Sequence, residues 1–171
     1  LINFKTKKMG RVFFNTRENT HEITASTTAY QCLSSDSNKT FILNTAAATV
    51  ITLPADADME LGWNIKIVQA LANDAGTLIK CSDVTDTTGQ MFTGGVNYQV
   101  IADATADVFQ GYATAAANDS QLALDTNLAN NMATVGTNIT IMKTAANRFM
   151  VTGHVATVDA DGTGAAIFSN I

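Results

Sequence analysis

Short runs in which apolar and polar residues alternate recur along this chain and are separated by residues that favour turns. In the run Asn64–Gln69, Ile65 and Ile67 fall on one face and Lys66 on the other, which is the period of a half-buried strand. Several short strands, few helical periods and a single proline predict an all-β fold, either an antiparallel β-sandwich or a jelly-roll-like barrel. The other predicted strands occupy residues 41–44, 49–53, 77–81, 96–102, 137–143, 147–158 and 165–169.

Turn residues indicate where these strands end. Pro54 lacks an amide donor and is predicted to end the strand before it. Residues 144–147, Thr-Ala-Ala-Asn, separate two long late runs and predict a hairpin. A helix competes with other structure at residues 55–61 and 120–132, and no repeat is regular enough to predict a solenoid.

The composition is unusual in its low fraction of charged residues. Hydrophobic residues make up 46% of the 171 positions, but charged residues only 15%, against about 25% in an average globular protein. Interface cores are depleted of Lys, Glu and Asp, so such a surface suits extensive contact with other proteins. It is equally typical of an extracellular or viral β-protein with a neutral polar surface.

The charge that is present is unevenly distributed. Residues 1–17 carry +5 and no acid, and the remainder carries −10, which gives the net charge of −5. This asymmetry predicts a basic N-terminal arm, residues 1–28, on an acidic β-sandwich body, residues 29–171. The arm interleaves its five cations with apolar residues, namely Ile2, Phe4, Val12, Phe13 and Phe14.

Three interpretations of the arm are open. It can dock on an acidic protein surface by electrostatic steering and apolar anchoring. It can instead be an N-terminal strand whose alternating lysines face water. Nucleic acid is the least favoured partner, because the sequence pI of about 4.7 lacks the basic face of a nucleic-acid domain.

Cys32 and Cys81 do not form a Cys-x-x-Cys motif, so neither a zinc knuckle nor a thioredoxin-like site is indicated. A disulfide between them stays open, and two buried free thiols are favoured. No apolar run approaches the roughly 18 residues that span a bilayer, and residues 1–17 lack the apolar stretch of a signal peptide. We therefore expect no membrane partner.

The chain contains no recognisable catalytic motif. His21 and His154 lie outside any such motif, and no cofactor or metal is expected. Acids occur in pairs that could hydrolyse glycosidic bonds if suitably spaced, although turn aspartates are commoner. The pairs are Asp56/Asp58, Asp83/Asp86, Asp103/Asp107 and Asp159/Asp161, of which the last also suggests a fragmentary calcium loop. Trp63 could stack on sugar, but its place after Gly62 at the start of an apolar strand favours the core.

Residues 38–69 carry a resemblance to known proteins. They read Asn-Lys-Thr-Phe-Ile-Leu-Asn, Thr-Ala-Ala-Ala and Thr-Val-Ile-Thr-Leu-Pro, followed after a loop by Gly62-Trp63 and a strand. The run resembles a pattern in β-rich virion structural proteins of tailed bacteriophages, in both capsid decoration (cement) proteins and tail-fibre modules.

The resemblance implies a virion protein on the capsid surface without enzymatic activity. A decoration protein would assemble as a homotrimer, bind the major capsid protein and stabilise the head. Its capsid-attachment residues are then expected in the arm, at Lys5, Lys7, Lys8, Arg11 and Phe13. The alternative is a tail-fibre or adhesin module that binds host surface glycan, and a glycan-cleaving enzyme is a third, weaker interpretation.

Overall fold

The computed structural model describes residues 19–73, 75–83, 89–100, 109–114, 119–124, 134–157 and 168–169. Their alternating sequence runs form strands arranged in two sheets, and this confirms the all-β prediction. The first sheet has the order β1-β3-β5-β10-β11-β7-β8 and the second β12-β9-β6-β4-β2. The strands are β1 (Thr20–Ile23), β2 (Ala29–Gln31), β3 (Lys39–Leu43), β4 (Thr49–Thr52), β5 (Asn64–Gln69), β6 (Thr77–Lys80), β7 (Met91–Val100), β8 (Phe109–Ala113), β9 (Gln121–Leu124), β10 (Asn138–Ala145), β11 (Arg148–Thr157) and β12 (Phe168–Ser169).

Both sheets are mixed, so the expectation of purely antiparallel sheets is wrong. Strands β1, β3 and β5 run parallel in the first sheet, and β2, β4 and β6 run parallel in the second. Alternation of apolar residues determines which face of a strand is buried, but it does not determine the direction of the neighbouring strand.

The first six strands alternate between the two sheets, and we call this region, residues 20–80, the parallel ladder. Each successive pair of strands adds one strand to each sheet: β3 and β4 lie beside β1 and β2, and β5 and β6 lie beside β3 and β4. Thr20 pairs with Thr40 and Thr40 with Lys66, so the offset between neighbouring pairs of strands is irregular. This irregularity explains why the sequence shows no clean solenoid repeat, although the connectivity is that of stacked turns.

One hydrophobic cluster draws buried side chains from both sheets. In the second sheet, the paired positions Tyr30, Ile51, Ile79, Leu122 and Phe168 form a continuous apolar row across all five strands. Ile51, Ile79 and Leu122 are completely buried, whereas Tyr30 at the end of the row is only partly buried. The row therefore lies inside the molecule and ends at the β2 edge.

The predicted hairpin at residues 144–147 is confirmed. Strands β10 and β11 pair antiparallel, and Asn147 in the turn has a φ of 56°, which asparagine tolerates better than most residues. Strand β11 also pairs in parallel with β7 from Arg148–Met91 to Thr157–Val100. We call these three strands, β7, β10 and β11, the clasp.

The structure bears on three further predictions, namely the two possible helices and the extent of the N-terminal arm. At residues 55–61 the structure has a single 3₁₀ turn, Asp56–Asp58, and at residues 120–132 the described part contains strand β9. Residues 20–23, which the sequence placed in the basic arm, form β1 and bury Ile23 completely. Residues 1–18 lie outside the described residues. In the part of the chain that is described, no helix is long and apolar enough to cross a membrane.

Candidate functional site

A depression with polar, charged and apolar lining residues lies where two ladder strands of the first sheet begin. It has a volume of about 510 Å³ and is lined by residues that directly precede β3 and β5. Because β3 and β5 are parallel neighbours, their N-terminal connections meet at one end of the sheet. The lining residues are Ser34, Ser35, Ser37, Asp58, Glu60, Leu61, Gly62 and Trp63.

Trp63 forms the floor of this depression and not a binding platform. Its side chain is only 4% exposed, and Nε1 donates a hydrogen bond of 3.1 Å to the carbonyl oxygen of Ser34. The sequence-based assignment of Trp63 to the core is therefore confirmed. The bond also joins the two connections that line the depression.

The rim of the depression is polar and open. The hydroxyl groups of Ser34 and Ser35 and the carboxylates of Asp58 and Glu60 make no hydrogen bond or ion pair within the described residues. Leu61 is 70% exposed beside them. Free hydroxyls, free carboxylates and an apolar surface are the groups that a polyhydroxylated ligand contacts.

A buried acid holds the Ser34–Ser37 connection in place. Asp36 is 1% exposed, and its carboxylate accepts hydrogen bonds from Tyr30 Oη at 3.1 Å, Leu33 N at 2.8 Å and Lys39 Nζ at 2.7 Å. Burial alone would raise the pKa of Asp36, but these donors, Lys39 first, outweigh it and lower the pKa below its ordinary value. Burial, together with the negative charge of Asp36, raises the pKa of Tyr30 to about 12.

A buried cation secures the other side of the depression. Lys143 of β10 is 6% exposed, and its Nζ donates to the carbonyl oxygens of Asp56 and Met59 at 2.7 and 2.9 Å. It also pairs with the Asp56 carboxylate at 2.8 Å. Burial opposes ionisation of Asp56, but the hydrogen bonds from Lys143 and the Asn147 amide lower its pKa. The clasp thereby holds the 3₁₀ turn that carries Asp58.

This geometry separates the members of the Asp56/Asp58 pair. Asp56 is bound to Lys143 and the Asn147 backbone, whereas Asp58 faces the open depression. A glycosidase needs two carboxyl groups that both reach the substrate, so this pair does not fit that chemistry. Of the other pairs only Asp83 belongs to the described residues; Asp86, Asp103, Asp107, Asp159 and Asp161 lie outside them.

The two cysteines are buried free thiols, as favoured from the sequence. Burial raises the pKa of both Cys32 and Cys81 to about 12, which keeps them protonated and unreactive at neutral pH. Over the described residues, no group of three or more His, Cys, Asp or Glu is placed to hold a metal ion.

The predicted capsid-attachment residues, Lys5, Lys7, Lys8, Arg11 and Phe13, all lie outside the described residues, so their role stays a prediction. Sequence reasoning missed the structural roles of Asp36 and Lys143. Their partners are set by the fold, and nothing near either residue in the sequence distinguishes it from a surface charge.

No protein-family model matches the chain, and no curated protein and no solved structure matches it significantly.

Proposed function

We propose that this chain is a virion structural protein of a tailed bacteriophage, a capsid decoration protein that binds the outer surface of the head and stabilises it. The observation that supports this most is the structural use of the run on which the resemblance rests. Phe41, Ile51 and Trp63 in that run are buried, and the turn at residues 45–48 between its first two strands consists of small, neutral residues. A segment whose large side chains are buried in this way serves to stabilise the fold, which suits a structural protein.

The body is proposed to be a β-sandwich. In support, the two sheets contribute buried residues to one cluster, including Ile67 and Ile139 from the first and Ile51, Ile79 and Leu124 from the second. Assembly as a homotrimer follows from the resemblance alone. No catalytic function is part of the proposal.

Attachment is proposed to be mechanical and multivalent. The basic arm, through Lys5, Lys7, Lys8, Arg11 and Phe13, reaches the major capsid protein while the acidic body stays outside. When several weak contacts are linked in one oligomer, their combined affinity exceeds that of any single contact. The proposed partner is therefore protein, and neither a membrane nor nucleic acid is required.

The test is co-sedimentation of the purified protein with capsids stripped of their decoration. Saturable binding with hundreds of copies per particle, measured by densitometry, is expected. Replacing Lys5, Lys7, Lys8 and Arg11 by Ser should weaken binding, and replacing Lys66, Lys80 and Arg148 on the body provides a comparison for charge loss elsewhere. Absence of saturable binding by a folded protein would contradict the proposal.

The depression at Ser34–Trp63 favours a second candidate, a tail-fibre or adhesin module that binds host surface glycan. Its free hydroxyls, the Asp58 and Glu60 carboxylates and exposed Leu61 offer polar and apolar contacts to a sugar. A glycan array separates the candidates: binding lost in Asp58→Asn and Glu60→Gln but kept in Asp83→Asn supports the adhesin. A few tens of copies per virion would support a tail location.

A further inference from the structure

The charge that lines the depression is of one sign. Among the described lining residues, the charged ones are Asp58 and Glu60, which are both exposed acids. We call them the rim carboxylates. Their side chains make no ion pair or hydrogen bond within the described residues. Two carboxylates on one rim repel each other, and a bound cation relieves that repulsion.

Cations on both sides of the depression are already paired with other acids. Lys39 Nζ lies 2.7 Å from the carboxylate of Asp36, and Lys143 Nζ lies 2.8 Å from that of Asp56. Each of these structural acids therefore has its own counter-charge, and the rim carboxylates keep theirs uncompensated. The chain as a whole carries −5, so its long-range field also attracts cations.

The remaining lining groups suit a sugar. The hydroxyls of Ser34 and Ser35 face the same depression, and Leu61 beside them is 70% exposed. A pyranose ring presents hydroxyl groups at its edge and an apolar C–H surface on its face, which match these two kinds of group. The volume of about 510 Å³ falls within the usual range of small-molecule sites, about 300–1,000 Å³.

The backbone between the rim carboxylates is held in place before any ligand binds. Met59 lies between them in the sequence, and its carbonyl oxygen accepts a hydrogen bond of 2.9 Å from Lys143 Nζ. On the facing connection, the carbonyl oxygen of Ser34 accepts a hydrogen bond of 3.1 Å from Trp63 Nε1. A site whose backbone is already fixed loses less conformational entropy on binding.

We propose that the depression binds an oligosaccharide that contains positively charged amino sugars. Asp58 and Glu60 pair with the ammonium groups, the hydroxyls of Ser34 and Ser35 contact sugar hydroxyls, and Leu61 packs against the apolar face of a ring. The same carboxylates repel acidic sugars. This inference rests on the second candidate function, glycan binding at this depression, and adds the charge of the ligand.

Isothermal titration calorimetry with two matched tetrasaccharides tests the inference. The tetrasaccharides of chitosan and of cellulose have the same linkage and differ only in an amine or a hydroxyl at the second carbon of each ring. At mildly acidic pH, where the amines are protonated, we expect the chitosan tetrasaccharide to bind about tenfold more tightly, as two exposed ion pairs can provide.

Three variants assign this preference to the depression. The double variant Asp58→Asn with Glu60→Gln should bind the chitosan tetrasaccharide about tenfold more weakly and the cellulose tetrasaccharide as before. The matched control is Glu22→Gln with Asp83→Asn, which removes the same charge from two exposed acids elsewhere and should change neither affinity. Leu61→Ser should weaken binding of both tetrasaccharides by the same factor. Thermal unfolding verifies that each variant is folded.

The outcomes separate the inference from the function on which it rests. Equal affinity for the two tetrasaccharides would overturn the inference and leave glycan binding intact. Binding of neither by the folded protein would contradict glycan binding at this depression, and the inference with it. Equal weakening in the two double variants would show that the overall negative charge attracts the amines, which would also overturn the inference.

Discussion

The parallel ladder and the clasp are built from similar strands but are held together differently. In the ladder, the paired strands are short and large side chains fill the interior: Ile51 and Ile79 are fully buried, and Trp63 is 4% exposed at the connections that precede β3 and β5. In the clasp, the two longest described strands, β7 and β11, pair along their whole length, and Gly94 and Gly153 allow close backbone approach. The ladder should therefore be sensitive to lost side-chain volume and the clasp to added volume.

The largest effect should come from removing volume in the ladder. Trp63→Ala should lower the free energy of unfolding by about 3–5 kcal/mol, because a buried ring and its cavity-filling role are lost. Trp63→Phe retains most of the packing and loses chiefly the bond to Ser34 O, so its effect should be much smaller. Urea denaturation measures both, and a Trp63→Ala variant as stable as the wild type would refute the role of the ring.

Adding one methyl group in the clasp should have the next largest effect. Gly94 has a φ of +92°, and a Cβ there would lie 2.5 Å from the carbonyl oxygen of Val151. Gly94→Ala should destabilise by about 2–4 kcal/mol, combining left-handed strain with overpacking. Gly62 has a similar φ of +87° but open space around it. Gly62→Ala should show only the strain, about 1–2 kcal/mol, and equal effects at both positions would contradict the close approach.

Lys143 contributes to the contact between the two regions, which also pair directly through β5 and β10. Lys143→Met keeps similar volume but removes the ammonium donor from the Asp56 carboxylate and from the carbonyl oxygens of Asp56 and Met59. We expect destabilisation of about 2–3 kcal/mol, below the usual range for a broken buried pair because Asp56 retains some exposure. Lys66→Met on the exposed face of β5 is the control and should change thermal unfolding little. Similar melting of the two variants would show that the ion pair contributes no stability.

The smallest effect should be the pH dependence from Asp36. Its pKa is lowered in the folded protein, so its ionised form is favoured by folding relative to the unfolded value of about 3.9. The stability that it contributes is complete well above pH 4 and is lost as the pH falls through the lower, folded pKa. The stability difference between wild type and Asp36→Asn should therefore shrink on acidification. A difference that stays constant from pH 6 to pH 2.5 would contradict this.

The sequence predicted the strands better than their partners. The β10–β11 hairpin was predictable because Thr144–Asn147 joins two adjacent alternating runs, so the pairing is local. Strands β3 and β4 are also joined by a short turn, yet they lie in different sheets. Strand β3 pairs with β1 and β5, and strand β4 pairs with β2 and β6. The alternating pattern that marks a buried face is the same for every candidate partner.

The candidate site was predictable only in part. Gly62-Trp63 at the head of a strand indicated a buried ring, and the structure confirms it. The depression above that ring needs Ser34–Ser37 beside Asp58–Gly62, and this proximity follows from the parallel pairing of β3 with β5. Asp36 and Lys143 resemble ordinary surface charges in the sequence, because their burial results from contacts with distant residues.

The pairing of β5 with β10 also affects the order in which the protein can fold during synthesis. Strand β5 is complete at Gln69, but its antiparallel neighbour begins only at Asn138. At a synthesis rate of about 5–20 residues per second, β10 is synthesised several seconds after β5 is complete. During that time β5 lacks its antiparallel neighbour. We expect the unpaired edge of β5 to favour aggregation during this interval. A chain ended at residue 135 should accumulate as insoluble material, and a soluble, folded product of that length would show that the ladder matures alone.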